Sequence, residues 1–308
     1  MTTEEQAAPR TLRARWLGRI AYRDAWVLQQ ALAAARAEGT LGEEQLLLLE
    51  HDAVLTLGRN ASEAHVLALP ELLAARGIEV VRVERGGEVT YHGPGQLVAY
   101  PIVALAAPGP GPRFSAAAGA ASGAAAGRSE PTLGVRPFVE ALEGAMADTC
   151  AAAGVAAGRR PGHPGCWVDA DGPLPRKVGA LGIRVARGVS FHGIALNITT
   201  NLADFDLIDP CGMPGLRSTS LARERARAGL DPDVDGARPP AANPAPGALP
   251  STASVALAAA DFARALAGRL DFGLTGDLPP ASDAVVERRA LEDLVARIAA
   301  MPAWAGVR

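Results

Sequence analysis

Residues 176–198 read Arg176-Lys-Val-Gly-Ala-Leu-Gly-Ile-Arg-Val-Ala-Arg-Gly-Val-Ser-Phe-His-Gly-Ile-Ala-Leu-Asn-Ile198. Two apolar runs, Val178–Val185 and Val189–Ile198, have strand length and are separated by a short turn, so they predict consecutive strands. Working outward, Gln45–Glu50, Ala53–Leu57, Ile78–Val83, Leu97–Val103 and Gly165–Asp169 also read as strands. Tyr22–Glu38 reads as a helix, with Asp24 near its start and Gly39 as its C-cap. Pro70 opens a short helix that stops at Gly77, and further helices are expected at 135–152, 253–270 and 282–300. Strands and helices alternate without a strict βαβ rhythm, which points to an α/β chain of the α+β type forming one domain. The arm before Tyr22 is expected to fray. Residues 106–131 and 222–250 read as low-complexity insertions with little to bury.

The same stretch holds the only lysine of the chain, Lys177, against 29 arginines. Arginine stays protonated, whereas lysine is a compact ammonium that can give up its proton. Lys177 is therefore a candidate for proton transfer or for a compact charge in a tight pocket; the alternative is a chance survivor on the surface.

Composition excludes several classes. Net charge is -3, so there is no global basic field for nucleic acid, and 4% aromatic content supplies no stacking platform. No apolar run reaches the roughly 18 residues that span a bilayer, and the first residues, with Glu4 and Glu5, lack an export signal's apolar core. Three cysteines without CxxC spacing fit a reducing, cytoplasmic setting. The five histidines show no metal-ligand spacing. His192 reads as structural.

Two segments stand out chemically. Arg85-Gly-Gly-Glu-Val-Thr-Tyr-His-Gly-Pro-Gly-Gln96 has four glycines that allow close backbone approach, yet matches neither a Walker loop nor a dinucleotide fingerprint. It reads as a ligand loop or as a hairpin turn around a satisfied His92. Cys211 lies in the turn-rich Asp209-Pro-Cys-Gly-Met-Pro-Gly215, whereas Cys150 and Cys166 read as small buried hydrophobes. A nucleophilic cysteine needs a cation nearby to hold its thiolate, and only a residue distant in sequence could supply one to Cys211.

The segment 85–96, the pair Arg176–Gly182 and Phe191–Asn197, and Pro210–Met213 with Thr219–Leu221 together resemble the octanoyltransferases of lipoate biosynthesis. The resemblance implies a single-domain biotin/lipoate protein ligase-like fold, a mixed sheet flanked by helices. The catalytic domain would span 12–275 and a helical extension 276–308. It implies octanoyl transfer from acyl carrier protein to a lysine of lipoyl domains, those of 2-oxoacid dehydrogenase E2 subunits and of the glycine cleavage H protein, with no cofactor and no metal. By resemblance, Cys211 is the acyl-thioester nucleophile and Lys177 its partner and general acid/base. Arg85, Gly86, Gly87, Glu88, Val89, Thr90, Tyr91, His92, Ala180, Leu181, Gly182, Gly193, Ile194 and Ala195 match the acyl-binding segments. Leu181, Ile183, Val89 and Ile194 are the candidate apolar walls. Backbone N–H groups near Cys211 or in a Gly179–Gly182 turn are candidate oxyanion donors. Arg82, Arg85, Arg176, Arg184 and Arg187 form a candidate basic rim for acidic partners. Competing readings are an ATP-dependent ligase of the same superfamily, a non-catalytic carrier-binding module and a cysteine hydrolase.

Overall fold

The computed structural model describes residues 10–105, 133–209, 216–230 and 255–278. In chain order the strands and helices are β1 (Thr11–Ile20), α1 (Tyr22–Ala37), β2 (Glu44–His51), β3 (Val54–Leu57), α2 (Pro70–Ala75), β4 (Glu79–Arg82), β5 (Val89–His92), β6 (Gln96–Ile102) and α3 (Val135–Ala152). They continue with β7 (Gly158–Arg160), β8 (His163–Val168), β9 (Arg176–Ala186), β10 (Val189–Asn197), β11 (Arg217–Ser218), α4 (Leu221–Arg227), α5 (Val255–Leu270) and β12 (Gly273–Asp277).

A mixed nine-stranded sheet runs β12-β1-β2-β6-β10-β9-β8-β7, with β11 pairing β9. A smaller sheet, β4-β3-β5, accompanies it. The Leu run of β2 shows how the large sheet is covered on both sides. Leu46 and Leu48 join the cluster under α3 and α5, while Leu47 and Leu49 join the cluster under α1. All four are fully buried, each worth roughly 1.5–3 kcal/mol of apolar burial.

Three expectations need correction. The N-terminal arm is not frayed from Arg10 onward, because β1 pairs β2 in parallel and sends Leu12 and Ala14 into the core. Arginines at 13, 15 and 19 obscured that alternation. The charged part of the second insertion is ordered through residue 230: Ser220 caps α4 by accepting from Arg223 N at 3.2 Å. Residues 276 and 277, assigned to the extension, belong to β12, which pairs β1. The first insertion, the remainder of the second and the helix at 282–300 lie outside the described residues.

Candidate active site

Lys177 reaches its position through an irregularity. β8 and β9 pair at Cys166–Gly179 and then at Trp167–Lys177, which leaves Val178 as one extra residue on β9. Val178 is buried in the α3/α5 core, and a Cβ on Gly179 would sit 2.7 Å from Met146 Sδ in that same core. Two consecutive residues therefore face one side, and the bulge turns Lys177 to the opposite side, with Ala180. There the two residues line one cleft, of about 320 Å³ including its open mouth, with Thr90, Gln96, Ala195, Asn197, Phe205 and Ser218. Lys177 Nζ stands 5.2 Å from the Trp167 ring centroid, within cation–π range. Gly165 makes room for its stem: at φ +121° it holds a place where a Cβ would come within 2.9 Å of Lys177 Cε and 2.4 Å of Gly179 O.

The glycine-rich segment covers this face. Residues 89–92 are strand β5, paired with β3, so the loop is confined to the part before Val89 and to the turn at 93–95 that leads into β6. Gly86 N donates to Ile183 O at 3.1 Å, and a Cβ on Gly182 would lie 2.7 Å from Gly86 O. The predicted segments 85–87 and 180–182 thus meet, and Gly182 pairs Gly193 across β9 and β10. Arg85 is buried with its guanidinium on Thr56 (Nη2 to the carbonyl at 2.6 Å, to Oγ1 at 2.8 Å) and on Gly86 O at 3.0 Å. Glu88 faces His65 at 3.4 Å, and Val89 and Tyr91 pack in the core of the small sheet.

The proposed apolar walls are wrong by alternation. Leu181, Ile183 and Ile194 point into the α3/α5 core, and Val89 into the small-sheet core. Ala180, Ala195 and Phe205 supply the apolar lining instead. Residues 179–182 form no turn; they are mid-strand in β9. The basic rim is also largely committed: Arg82 pairs Glu63 (3.2 Å), Arg176 pairs Glu224 (2.9 Å), Arg187 pairs Glu38 (3.1 Å), and Arg85 is buried.

Sequence reading missed a chain of buried hydrogen bonds behind the cleft. Asn197 Nδ2 donates to Thr219 O at 2.9 Å, so its Oδ1 must accept from Gln96 Nε2, also at 2.9 Å. Gln96 Nε2 donates again to Tyr91 O at 3.2 Å, which turns Gln96 Oε1 toward His92 Nδ1 at 2.8 Å. Two backbone carbonyls, which can only accept, therefore fix both amides and put the His92 proton on Nδ1. Burial first, then His51 and Arg85, holds His92 well below the usual imidazole value, so the ring is neutral. The signal for Gln96, Asn197 and Thr219 was their position inside the quoted stretches.

His92 belongs to a buried ring cluster with Tyr22 (6.0 Å) and His51 (5.8 Å); His51 in turn packs on Tyr100, which lies 6.3 Å from His192. Two similar triplets of the sequence, Tyr91-His92-Gly93 and Phe191-His192-Gly193, thus bring their histidines to one ring cluster. His192 adopts φ +56°, where the β6–β10 ladder is interrupted opposite Pro101 and Ser190 Oγ donates to Pro101 O at 2.8 Å. His192 N donates to Gln29 Oε1 of α1 at 2.8 Å, the structural role expected of it. Cys150 and Cys166 are fully buried in the core, as expected. Cys211 lies outside the described residues. No helix among them is long and apolar enough to cross a membrane.

Comparison with known proteins agrees with this architecture. The lipoyl protein ligase A/B catalytic domain family matches residues 21–117 and 126–233. The fold is similar to a lipoate-protein ligase A bound with ATP (TM-score 0.56, 15% identity, 94% of each chain). It is also similar to a bi-partite lipoate protein ligase from Thermoplasma acidophilum (TM-score 0.54, 15% identity, 96% of this chain and 95% of that one). In sequence, an octanoyltransferase from Acidobacterium capsulatum is 46% identical over 209 residues, 68% of this chain and 78% of that one. One from Chloroflexus aurantiacus is 43% identical over 220 residues, 71% of this chain and 86% of that one. The chain belongs to the lipoyl protein ligase A/B catalytic family. Within that family it is an acyltransferase, a lipoyl(octanoyl) transferase that moves octanoyl groups in lipoate biosynthesis.

Proposed function

We propose that the octanoyl group comes from acyl carrier protein and passes through a thioester on Cys211 to a lysine of a lipoyl domain, with Lys177 carrying the protons. In the first half-reaction the Cys211 thiolate attacks the donor thioester. The new S–acyl bond forms, the pantetheine C–S bond breaks, and the leaving thiolate takes a proton from Lys177. In the second, Lys177 takes a proton from the incoming amine, the amide forms, and the Cys211 thiolate is regenerated. Arginine could supply the charge but not this proton traffic. Of the matched segments, Thr90, Ala180 and Ala195 line the cleft that holds the acyl chain, and lipoyl domains of E2 subunits and H protein are the acceptors.

The observation that supports this most is the bulge at Val178, which aims the only lysine of the chain into a cleft floored by Ala180 and Ala195. Small side chains there leave space for an unbranched chain. The test is intact-mass measurement after mixing with octanoyl-carrier protein and no acceptor. Wild type should gain one octanoyl group and Cys211→Ala none. An adduct on Cys211→Ala would move the nucleophile elsewhere, and turnover of free octanoate only with ATP would instead indicate a ligase.

A further inference from the structure

The carboxylate of Glu224 is buried, at 7% side-chain exposure, on a short helix that read as part of a disordered insertion. It takes the Arg176 fork at two points, Nε to Oε1 and Nη2 to Oε2, both 2.9 Å. Its Oε1 also accepts from Arg227 Nη1 at 2.8 Å and from the Thr219 hydroxyl. Thr219, with no exposed surface, makes three directed bonds: its hydroxyl to Glu224, its carbonyl from Asn197, and its N–H to the carbonyl of Lys177 at 2.9 Å. Lys177 is therefore bracketed. The residue before it is clamped by Glu224, its own carbonyl is held by Thr219, and the residue after it is the bulge.

We propose that Glu224 and Thr219 are positioning residues for octanoyl transfer, holding the Lys177 backbone so that its amine stays aimed into the cleft. Burying a carboxylate with its arginines is an inefficient way to gain stability, since well-packed apolar residues of similar volume often do as well. What the charged clamp adds is direction: planar guanidinium–carboxylate pairing and one hydroxyl fix the orientation of the strand that carries Lys177. A misplacement of about 1 Å at a reacting group is enough to slow chemistry severely. The bulge makes such fixing necessary, because β9 has lost regular pairing with β8 at this point.

The inference rests on the reading of Lys177 as the working amine, and the experiment separates the two. Thr219→Val removes only the hydroxyl and keeps both backbone bonds; Thr219→Ser restores the hydroxyl; Glu224→Gln keeps the shape of the acid without its charge. Each is assayed for kcat and for KM toward octanoyl-carrier protein. Because the chain has one lysine, reductive 13C-methylation also reports Lys177 as the only side-chain dimethylamine signal. The expected result for Thr219→Val and Glu224→Gln is a kcat lower by about 10- to 100-fold. KM should stay within about twofold and the lysine signal should shift or broaden, with Thr219→Ser close to wild type in all three. Wild-type kcat and an unmoved lysine signal in Thr219→Val and Glu224→Gln, with only a lower melting temperature, would reduce the clamp to a structural tie and overturn the proposal. Lys177→Arg is run beside them. If it too transfers at the wild-type rate, the reading of Lys177 has failed; if it is inactive while Thr219→Val is normal, only the positioning claim has.

Discussion

The two faces of the large sheet use the same strands for different ends. On the α3/α5 face, β9 and β10 present Val178, Leu181, Ile183, Ile194 and Leu196, packed against Met146, Phe138 and Phe262. On the other face the same strands present Lys177, Ala180, Gly182, Ala195 and Asn197, with a cleft, buried amides and three buried histidines around them. One face maximises apolar contact. The other packs Leu47, Leu49 and Phe191 under α1, but around the cleft it gives up side-chain volume for buried polar groups such as Gln96 and Asn197, which are held by specific partners. Alternation along a strand keeps the two tasks apart, and the bulge at Val178 is where β9 crosses from one parity to the other.

Substitutions on the two faces should separate stability from activity. Phe262→Ala on the filled face should cost about 3–5 kcal/mol in denaturant unfolding, with the transfer rate per folded molecule unchanged. A rate loss larger than the loss of folded protein would show that the faces are coupled. Ala180→Leu on the open face should do the reverse. It fills the cleft and should lower octanoyl transfer by about 100-fold, while the half-exposed position absorbs the side chain with a cost under about 1 kcal/mol. Wild-type rates for Ala180→Leu would remove the acyl chain from this cleft.

The smallest effect concerns pH. His51 is fully buried; burial outweighs its bond to Ile20 O and pushes its pKa down to about 4. The unfolded chain binds that proton near 6.5, so its contribution to stability is complete above that value and is lost as pH falls toward 4. Between pH 7 and 4 the loss from this residue should be on the order of 2–3 kcal/mol. His51→Gln should flatten that part of the stability profile, and an unchanged slope would mean that His51 is not the group responsible.

The elements that sequence revealed were those with a period of their own. The Leu run of β2, the paired runs of β9 and β10, and helices α1 and α3 each carry enough apolar repetition to be placed without tertiary context. β1 was hidden because its outward residues are arginines and its partners, Glu43, Glu44 and Gln45, lie elsewhere in the chain. α4 was hidden because a helix dense in charge resembles a solvated linker until Arg176 is found on Glu224. In the site, Lys177 was legible from composition and the glycine segment from its density of glycine. The direction of Lys177 was not, since a one-residue bulge reverses every side chain beyond it. Leu181, Ile183 and Ile194 were assigned to the cleft for their apolar character alone, and alternation places them in the core.

The proposed transfer depends on Lys177 acting as an amine that exchanges protons inside the cleft. Single-turnover octanoyl transfer by Lys177→Arg, compared with wild type under identical donor and acceptor concentrations, tests it most directly. The predicted result is a rate at least about 10³-fold lower in a protein of unchanged fold, since the charge is kept and the proton exchange is lost. A rate within a few-fold of wild type would contradict it.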